Sequence, residues 1–341
     1  MTQDSEKPRR APIIYWVFVL SLFFVLGLSI FLNVGLGIAL SLSTHTSITG
    51  EPEMPEDEFP TFDEQWSYGT GDVKVVRMEL TGFITRETEA GFLEPAFDKI
   101  ENLLLAIRAA TYDEDVRAII LEVDSPGGGI TPSDEVYNEL MRFKASAEGR
   151  KVVVYMRDLA ASGGYYVALA GDWLIAQPTT VVGSIGVIMQ SLNWKGLSDR
   201  IGVTDTTIKS GENKDLLNPF RENDPEQIAM LQEMIDHMHG RFRGLVSKHR
   251  GLDDETLKTL ADGRIFSSGQ ARDLKLIDQV GYWNDVMDKT KELLGVPDIK
   301  VVRYYQELTF WDYLAGAKAP LRLLPASWSS HSPRLQYLWQ P

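Results

Sequence analysis

KVVVYMRDLAASGGYYVALA, residues 151–170, holds a strand, a serine and a helix in immediate succession. Lys151 to Met156 is β-branched and aromatic and predicts a strand. Gly163 to Ala170 predicts the first turns of a buried helix. Ser162 stands between small residues at the junction. A serine there sits beside free backbone N–H groups and the positive end of a helix dipole. That is where a nucleophile and its oxyanion donors are needed. The same placement suits a serine that only caps a tightly packed turn. The motif alone leaves both readings open.

Upstream, Ala118 to Val123 (AIILEV) is a second strand-like run, and Asp124-Ser125-Pro126-Gly127-Gly128-Gly129 follows it. Three glycines after a buried strand let N–H groups turn outward and let another backbone come close. Alone, such a turn is common in α/β proteins. Some thirty residues before an Ala-Ser-Gly-Gly stretch it is far less common.

Histidine is scarce. The chain has five, and none falls between His45 and His237. A Ser-His-Asp triad needs a histidine beside the serine. His237 and His239 lie in a predicted surface helix over 224–250. Asp224-Pro225 gives that helix an N-cap and an N1 proline, and Gln227 completes a capping box. Its apolar stripe is Ile228, Leu231, Ile235, Met238, Phe242 and Leu245, and the two histidines read as solvated. Another base is therefore needed. Lysine serves where a site desolvates it, because burial lowers its pKa from about 10.4 toward neutrality.

Two lysines, Lys209 and Lys214, lie in the polar loop Ile208 to Asp215, ahead of the Leu216-Leu217-Asn218-Pro219-Phe220 run. For most lysines such a loop is simply solvated. Ser184, in Val182-Gly183-Ser184-Ile185-Gly186-Val187, is flanked by glycines in an apolar, strand-like stretch. A buried hydroxyl there needs a partner, either a lysine ammonium or a neighbouring carbonyl.

At these residues the chain resembles the SppA-type signal peptide peptidases of family S49, membrane-anchored Ser/Lys peptidases of the ClpP/crotonase-like fold. The matching stretches are DSPGGG (124–129), AASGGYY (160–166), VGSIGV (182–187), KSGENKDLLNP (209–219) and ADGRIFSSGQARDLKLIDQVG (261–281), in family order. Together they are specific, and they show no departure from the pattern. The resemblance implies that Ser162 is the nucleophile and Lys214, not Lys209, the general base. It implies that Ser184 holds the Lys214 amine. Backbone N–H groups of Gly163 and of the 127–129 turn, Gly128 and Gly129 foremost, would form the oxyanion hole.

The implied chemistry is acyl transfer without metal or organic cofactor. Neutral Lys214 takes the Ser162 proton, Ser162 attacks a peptide carbonyl, and water releases the acyl group. The rate is expected to rise from neutral to alkaline pH; a flat profile between about 6 and 9 would count against a lysine base. With one copy of each motif, the resemblance implies a homo-oligomeric ring in which Lys214 acts in trans on a neighbouring Ser162. A ring on membrane anchors suits apolar peptide substrates such as signal-peptide remnants. Rival readings are a catalytically silent membrane scaffold of the same fold and a crotonase-like acyl-CoA enzyme, and a serine-directed probe separates them. A ClpP-like Ser-His-Asp peptidase is disfavoured by the missing histidines.

The rest of the chain fits. Its 341 residues are 44% hydrophobic, enough for a large core. It lacks cysteine, which excludes disulfides, zinc thiolate sites and a cysteine nucleophile. Residues 1–12 are polar, with Lys7, Arg9 and Arg10, and read as a cytoplasmic N-terminus. Residues 13–42 hold no charge and exceed the roughly 20 needed to span a bilayer, which predicts one transmembrane anchor rather than a shorter cleaved signal peptide. The cell membrane is the expected location, with the remainder outside the cytoplasm. Residues 43–70 read as an acidic linker, most acidic over Glu51 to Glu64. A net charge of −14 does not favour nucleic acid or anionic lipid.

Residues 71–296 read as the catalytic domain. Strands are predicted at 73–80, 118–123, 152–156, 173–175 and 181–189, and helices at 93–111 and 133–147. Alternating strands and helices predict an α/β domain with largely parallel pairing. The ClpP/crotonase-like superhelix of strand-strand-helix units is what the resemblance adds. Residues 297–341 read as a C-terminal extension, with a strand possible over 299–305 and a poorly structured tail from Pro320. No function is assigned to it.

Overall fold

The computed structural model describes residues 13–43, 58–86, 98–305 and 336–338. It divides into two units, Met1–Met54 and Pro55–Pro341. The described part of the first is one helix, α1 (Ile13–Ser43), 31 residues without a charge. At 1.5 Å per residue it runs about 46 Å, against about 30 Å for a hydrocarbon core. Over Tyr15–Leu36 it is long and apolar enough to cross a membrane, and its large apolar side chains are unburied. Residues 51–57, half of the acidic 51–64 stretch, lie outside the described residues.

The second unit opens with β1 (Asp63–Tyr68) and β2 (Val73–Ile84). In α2 (Lys99–Tyr112), the Asp98 carboxylate caps the helix by accepting from the Ile100 and Glu101 amides, and Ile100, Leu104 and Ile107 are buried as the periodicity predicts. Residues 93–97 of that predicted helix lie outside the described residues. Next come β3 (Val116–Gly129), α3 (Ile130–Ser146), β4 (Lys151–Ala161) and α4 (Gly163–Ala168). Both β3 and β4 outrun their apolar cores. Pairing carries their polar ends: Ser125 lies opposite Ala160, and Phe83 and Ile84 lie opposite Gly127 and Gly128.

After β5 (Trp173–Ala176), β6 (Val181–Gly183) ends well short of Met189, because Ser184 turns to a φ of 52°. Then follow α5 (Lys195–Ile201), a 3₁₀ turn at Glu212–Asp215, and α6 (Pro225–Arg250). Asp224 caps α6 by accepting from the Glu226 amide at 2.8 Å. Gln227 does not close a capping box; its amide donates instead to Asn213 Oδ1 at 3.2 Å. The chain continues through α7 (Asp254–Leu260), β7 (Ile265–Ser267), α8 (Ser268–Asp273), β8 (Gln279–Val280), α9 (Trp283–Leu294), β9 (Ile299–Tyr305) and β10 (Gln336–Leu338).

The sheet runs β1-β9-β2-β3-β4-β5-β8, parallel throughout except for β1 on β9. β4 forks. Val153–Met156 pair with β5, and Leu159–Ala161 pair with β6, whose other edge takes β7 antiparallel. β1 and β9 come from the stretches assigned to the linker and the C-terminal extension, and both are part of this sheet. The exposed side chains of β1 left no apolar run to read.

Side chains alternate across the sheet. Ile119, Leu121, Val152 and Val154 face one core, shared with α2, α3, α4 and α6. Ile120, Val153 and Ile175 face the other, closed by Val286 and Met287 of α9. Helices on both faces of a largely parallel sheet explain the near-continuous apolar strands.

Candidate active site

Ser162 is the single residue between β4 and α4, with φ 53° and ψ −116°. Such a backbone costs a non-glycine residue about 1–3 kcal/mol and persists only where its surroundings hold it. The holding contacts are clear. The Ser162 amide donates to the Gly183 carbonyl at 2.7 Å, and its own carbonyl accepts from Tyr166 at 2.8 Å. The side chain is 1% exposed, yet Oγ has no hydrogen-bond partner. A buried hydroxyl left unpaired is rare in a folded protein and calls for a functional explanation.

The parallel register sets Ser184 beside it. Ala161 pairs with Gly183, so the next residues, Ser162 and Ser184, leave adjacent strand ends together. Neighbouring strands lie about 4.8 Å apart. Ser184 is buried, and its amide donates to the Arg264 carbonyl at 2.7 Å. Among the described residues its hydroxyl also takes no partner. Four described non-glycine residues have positive φ, and two of them are Ser162 and Ser184.

The glycine turn reaches the same place. A Cβ on Gly163 would fall 2.6 Å from Ser133 Oγ, 3.1 Å from Gly127 Cα and 3.2 Å from Gly128 N. A Cβ on Gly128 would fall 2.2 Å from the Ile84 carbonyl. Both positions therefore demand glycine. Gly129 is the residue before α3, with 3.0 Å between its virtual Cβ and Pro132. Ser162, Ser184, Gly128 and Gly163 are thus gathered by strand register and close backbone packing.

Lys214 is not part of that cluster within one chain. It sits in the 3₁₀ turn with its side chain exposed, and no described group bonds or pairs with its amine. Lys209 is committed elsewhere: its amine donates to the Glu212 carbonyl at 2.7 Å and to Asp215 Oδ1 at 2.6 Å. That lysine holds the Asp215 carboxyl below the usual carboxylate range. Arg221 adds a second cation 3.0 Å from Asp215 Oδ2.

No described histidine bonds to Ser162. His237 is exposed on α6. His239 is only half-exposed, with a buried, unpaired Nε2, where full solvation was expected. His249 shares a 2.7 Å hydrogen bond with the Tyr137 hydroxyl.

A sequence model described as peptidase family S49 matches residues 144–297. A candidate signal peptide peptidase SppA of Enterococcus faecium is 33% identical over 269 residues, 78% of this chain and 77% of that protein. The chain belongs to peptidase family S49. It is also similar to chloroplastic serine protease SPPA of Arabidopsis thaliana, at 31% identity over 58% of this chain and 29% of that protein. Protease 4 of Salmonella typhi is 32% identical over 60% of this chain and 33% of its own length. The S49 chain is thus a peptidase, with the ClpP-like α/β fold of its family.

Several supporting residues of this S49 peptidase escaped the sequence reading. Ser125 accepts from the Gly127 amide at 3.0 Å and donates to the Gly82 carbonyl at 2.7 Å, which pins the glycine turn to β2. Ser133 donates to the Gly129 carbonyl at 2.8 Å while packing on Gly163. The Tyr166 hydroxyl donates to Asp134 at 2.5 Å, and Arg241 bridges both from α6. Burial, then the bond to Asp134, pushes the Tyr166 phenol up. Ser125 lay inside a quoted motif; Asp134 and Arg241 carried no signal, since a hundred residues separate them.

Proposed function

We propose that the chain is a membrane-anchored Ser/Lys endopeptidase, with Ser162 as nucleophile and Lys214 of a neighbouring copy as general base. The observation that carries this reading is the buried, unpartnered Ser162 hydroxyl on a strained strand-to-helix junction beside Ser184. Such strain collects at catalytic centres because packing elsewhere sustains it. Lys214 is exposed and without partner among the described residues, which supports delivery to a second copy rather than to its own serine. Ser184, with a free hydroxyl, would receive and orient the amine.

The steps follow. The amine takes the Ser162 proton as Oγ adds to the substrate carbonyl. N–H groups of Gly163 and of Gly128, with Gly129 adjoining, hold the oxyanion. The Gly127 amide is occupied by Ser125, which favours the later glycines as donors. The C–N bond breaks, the lysine returns the proton to the leaving amine, and an acyl-Ser162 ester forms. Water, deprotonated by the same lysine, then hydrolyses the ester.

Residues 13–42 would anchor the enzyme in the cell membrane with residues 1–12 cytoplasmic, an acidic linker ending before β1 and the peptidase domain outside. Substrates would be apolar peptides near the bilayer, such as signal-peptide remnants. The test is an apolar fluorogenic peptide together with a fluorophosphonate probe. Hydrolysis lost in both Ser162→Ala and Lys214→Ala, with labelling at Ser162, is expected. An unlabelled Ser162 in folded, oligomeric protein would favour a silent scaffold.

A further inference from the structure

Inside α1 one side chain is ill-suited to lipid. Among residues 17–36 the polar side chains are Ser21, Ser29 and Asn33, and Asn33 is the bulkiest. It stands five residues from Leu28, the middle residue of α1, or about 8 Å along the axis. A hydrocarbon core is about 30 Å thick, so an anchor formed by α1 holds Asn33 within it. Lipid tails offer no hydrogen bonds, and a polar group there must find its partner in protein. The helix meets only part of that demand. Ser21 donates to the Phe18 carbonyl at 2.8 Å. Asn33 Nδ2 donates to the Ser29 carbonyl at 2.7 Å and reaches the Ser29 hydroxyl at 3.5 Å. Both contacts run from the nitrogen. Among the described residues, Asn33 Oδ1 accepts from no donor.

Spacing fixes the face that carries it. Leu22, Leu26, Ser29, Asn33 and Leu36 follow one another at intervals of four, three, four and three residues, and all five are exposed. That alternation keeps one seam along a helix and is the period of left-handed helix pairs, in membranes as in water. Ser29 is small, so a second helix can come close where Asn33 sits. Phe24 and Phe31 fall on the opposite side.

We infer that this seam is a contact between anchors, and that its occupant is α1 of a second copy of this chain. Copies of one chain insert in one orientation, so their Asn33 carboxamides meet at the same depth. A carboxamide is self-complementary: the second N–H of each Nδ2 donates to the Oδ1 of the other. An unrelated helix would need a polar residue at that same depth. One asparagine on an otherwise apolar seam also sets register, as it does in soluble coiled coils. The inference rests on the reading of residues 13–42 as a membrane anchor.

The chain has no cysteine, so an introduced one reports alone. The full chain in cell membranes, carrying a single Leu26→Cys, Ser29→Cys or Leu36→Cys, is oxidised with copper phenanthroline and run on a non-reducing gel. Disulfide dimers should exceed those of Phe24→Cys and Phe31→Cys by about fivefold. Adding Asn33→Leu should lower the seam dimers by about threefold to tenfold, the worth of one hydrogen bond between membrane helices, and Asn33→Gln should keep most of them. Peptidase domains that gather the anchors without helix contact would give equal dimers on both faces, which would overturn the inference. So would seam dimers indifferent to Asn33→Leu, or adducts of another mass in place of dimers. Extraction with alkaline carbonate separates the two readings. A chain released by carbonate unseats the anchor itself, whereas a chain retained without a preferred face overturns only the contact.

Discussion

The surroundings of Ser162 and of Lys214 are opposites. Ser162 is buried where β4 meets α4, with its amide bonded to the end of β6, and Tyr165 and Tyr166 beside it are fully buried. Lys214 stands in a loop whose neighbours leave Leu192, Leu197, Ile201, Val203 and Phe220 exposed, with Ile208 at 96%. One region has spent its apolar side chains on a core. The other keeps them on the surface, where a cluster of this kind marks an interaction site. The contrast teaches why the proposal divides the site: the serine is enclosed within one chain, and the exposed lysine would be offered to another.

The largest effect should come from the enclosed half. Ser162→Ala is expected to cut peptide hydrolysis by at least about 1000-fold while the melting temperature holds, since its hydroxyl bonds to nothing. Lys214→Ala should cost about 100-fold or more, again without loss of stability, because its side chain is exposed. A stable but fully active Lys214→Ala would erase the contrast and return attention to Lys209.

Leu197→Glu with Ile201→Glu sharpens the comparison further. Both residues are exposed on α5, so the fold should survive. Light scattering should show smaller assemblies, and activity should drop more than about tenfold. Asp215→Asn probes the loop itself. Losing the clamp on Lys209 and Arg221 should lower kcat/KM by about threefold and leave KM nearly unchanged.

The smallest effect concerns acid. Arg264 holds the Asp262 carboxyl down from 3.8 to about 2, and the Arg264 carbonyl receives the Ser184 amide. A depressed folded pKa stabilises above the unfolded value and is lost as pH falls through the folded one. Stability should therefore decline between about pH 4 and pH 2. The pair is solvent-exposed, so screening limits the loss to under about 0.5 kcal/mol. Asp262→Asn should flatten that part of a melting-temperature profile.

Much of the fold was legible where side chains repeat a pattern. The runs at 118–123 and 151–156, the stripe of α2 and the Asp224 cap all appear where the sequence predicts them. What escaped is held by pairing rather than by composition. β1 is exposed, β3 and β4 continue through polar and glycine residues, and Ser184 ends β6 by a backbone turn that no apolar count reveals. The residues of the candidate site were legible as motifs. Their convergence was not, because it depends on Ala161 lying opposite Gly183 and on β10 returning to Gly128 across two hundred residues.

The most direct measurement of the divided site mixes Ser162→Ala and Lys214→Ala chains, each inactive alone. Under demonstrated subunit exchange, the account predicts that the mixture recovers peptide hydrolysis, since some neighbours then pair an intact serine with an intact lysine. A mixture that exchanges subunits and stays inactive would contradict it.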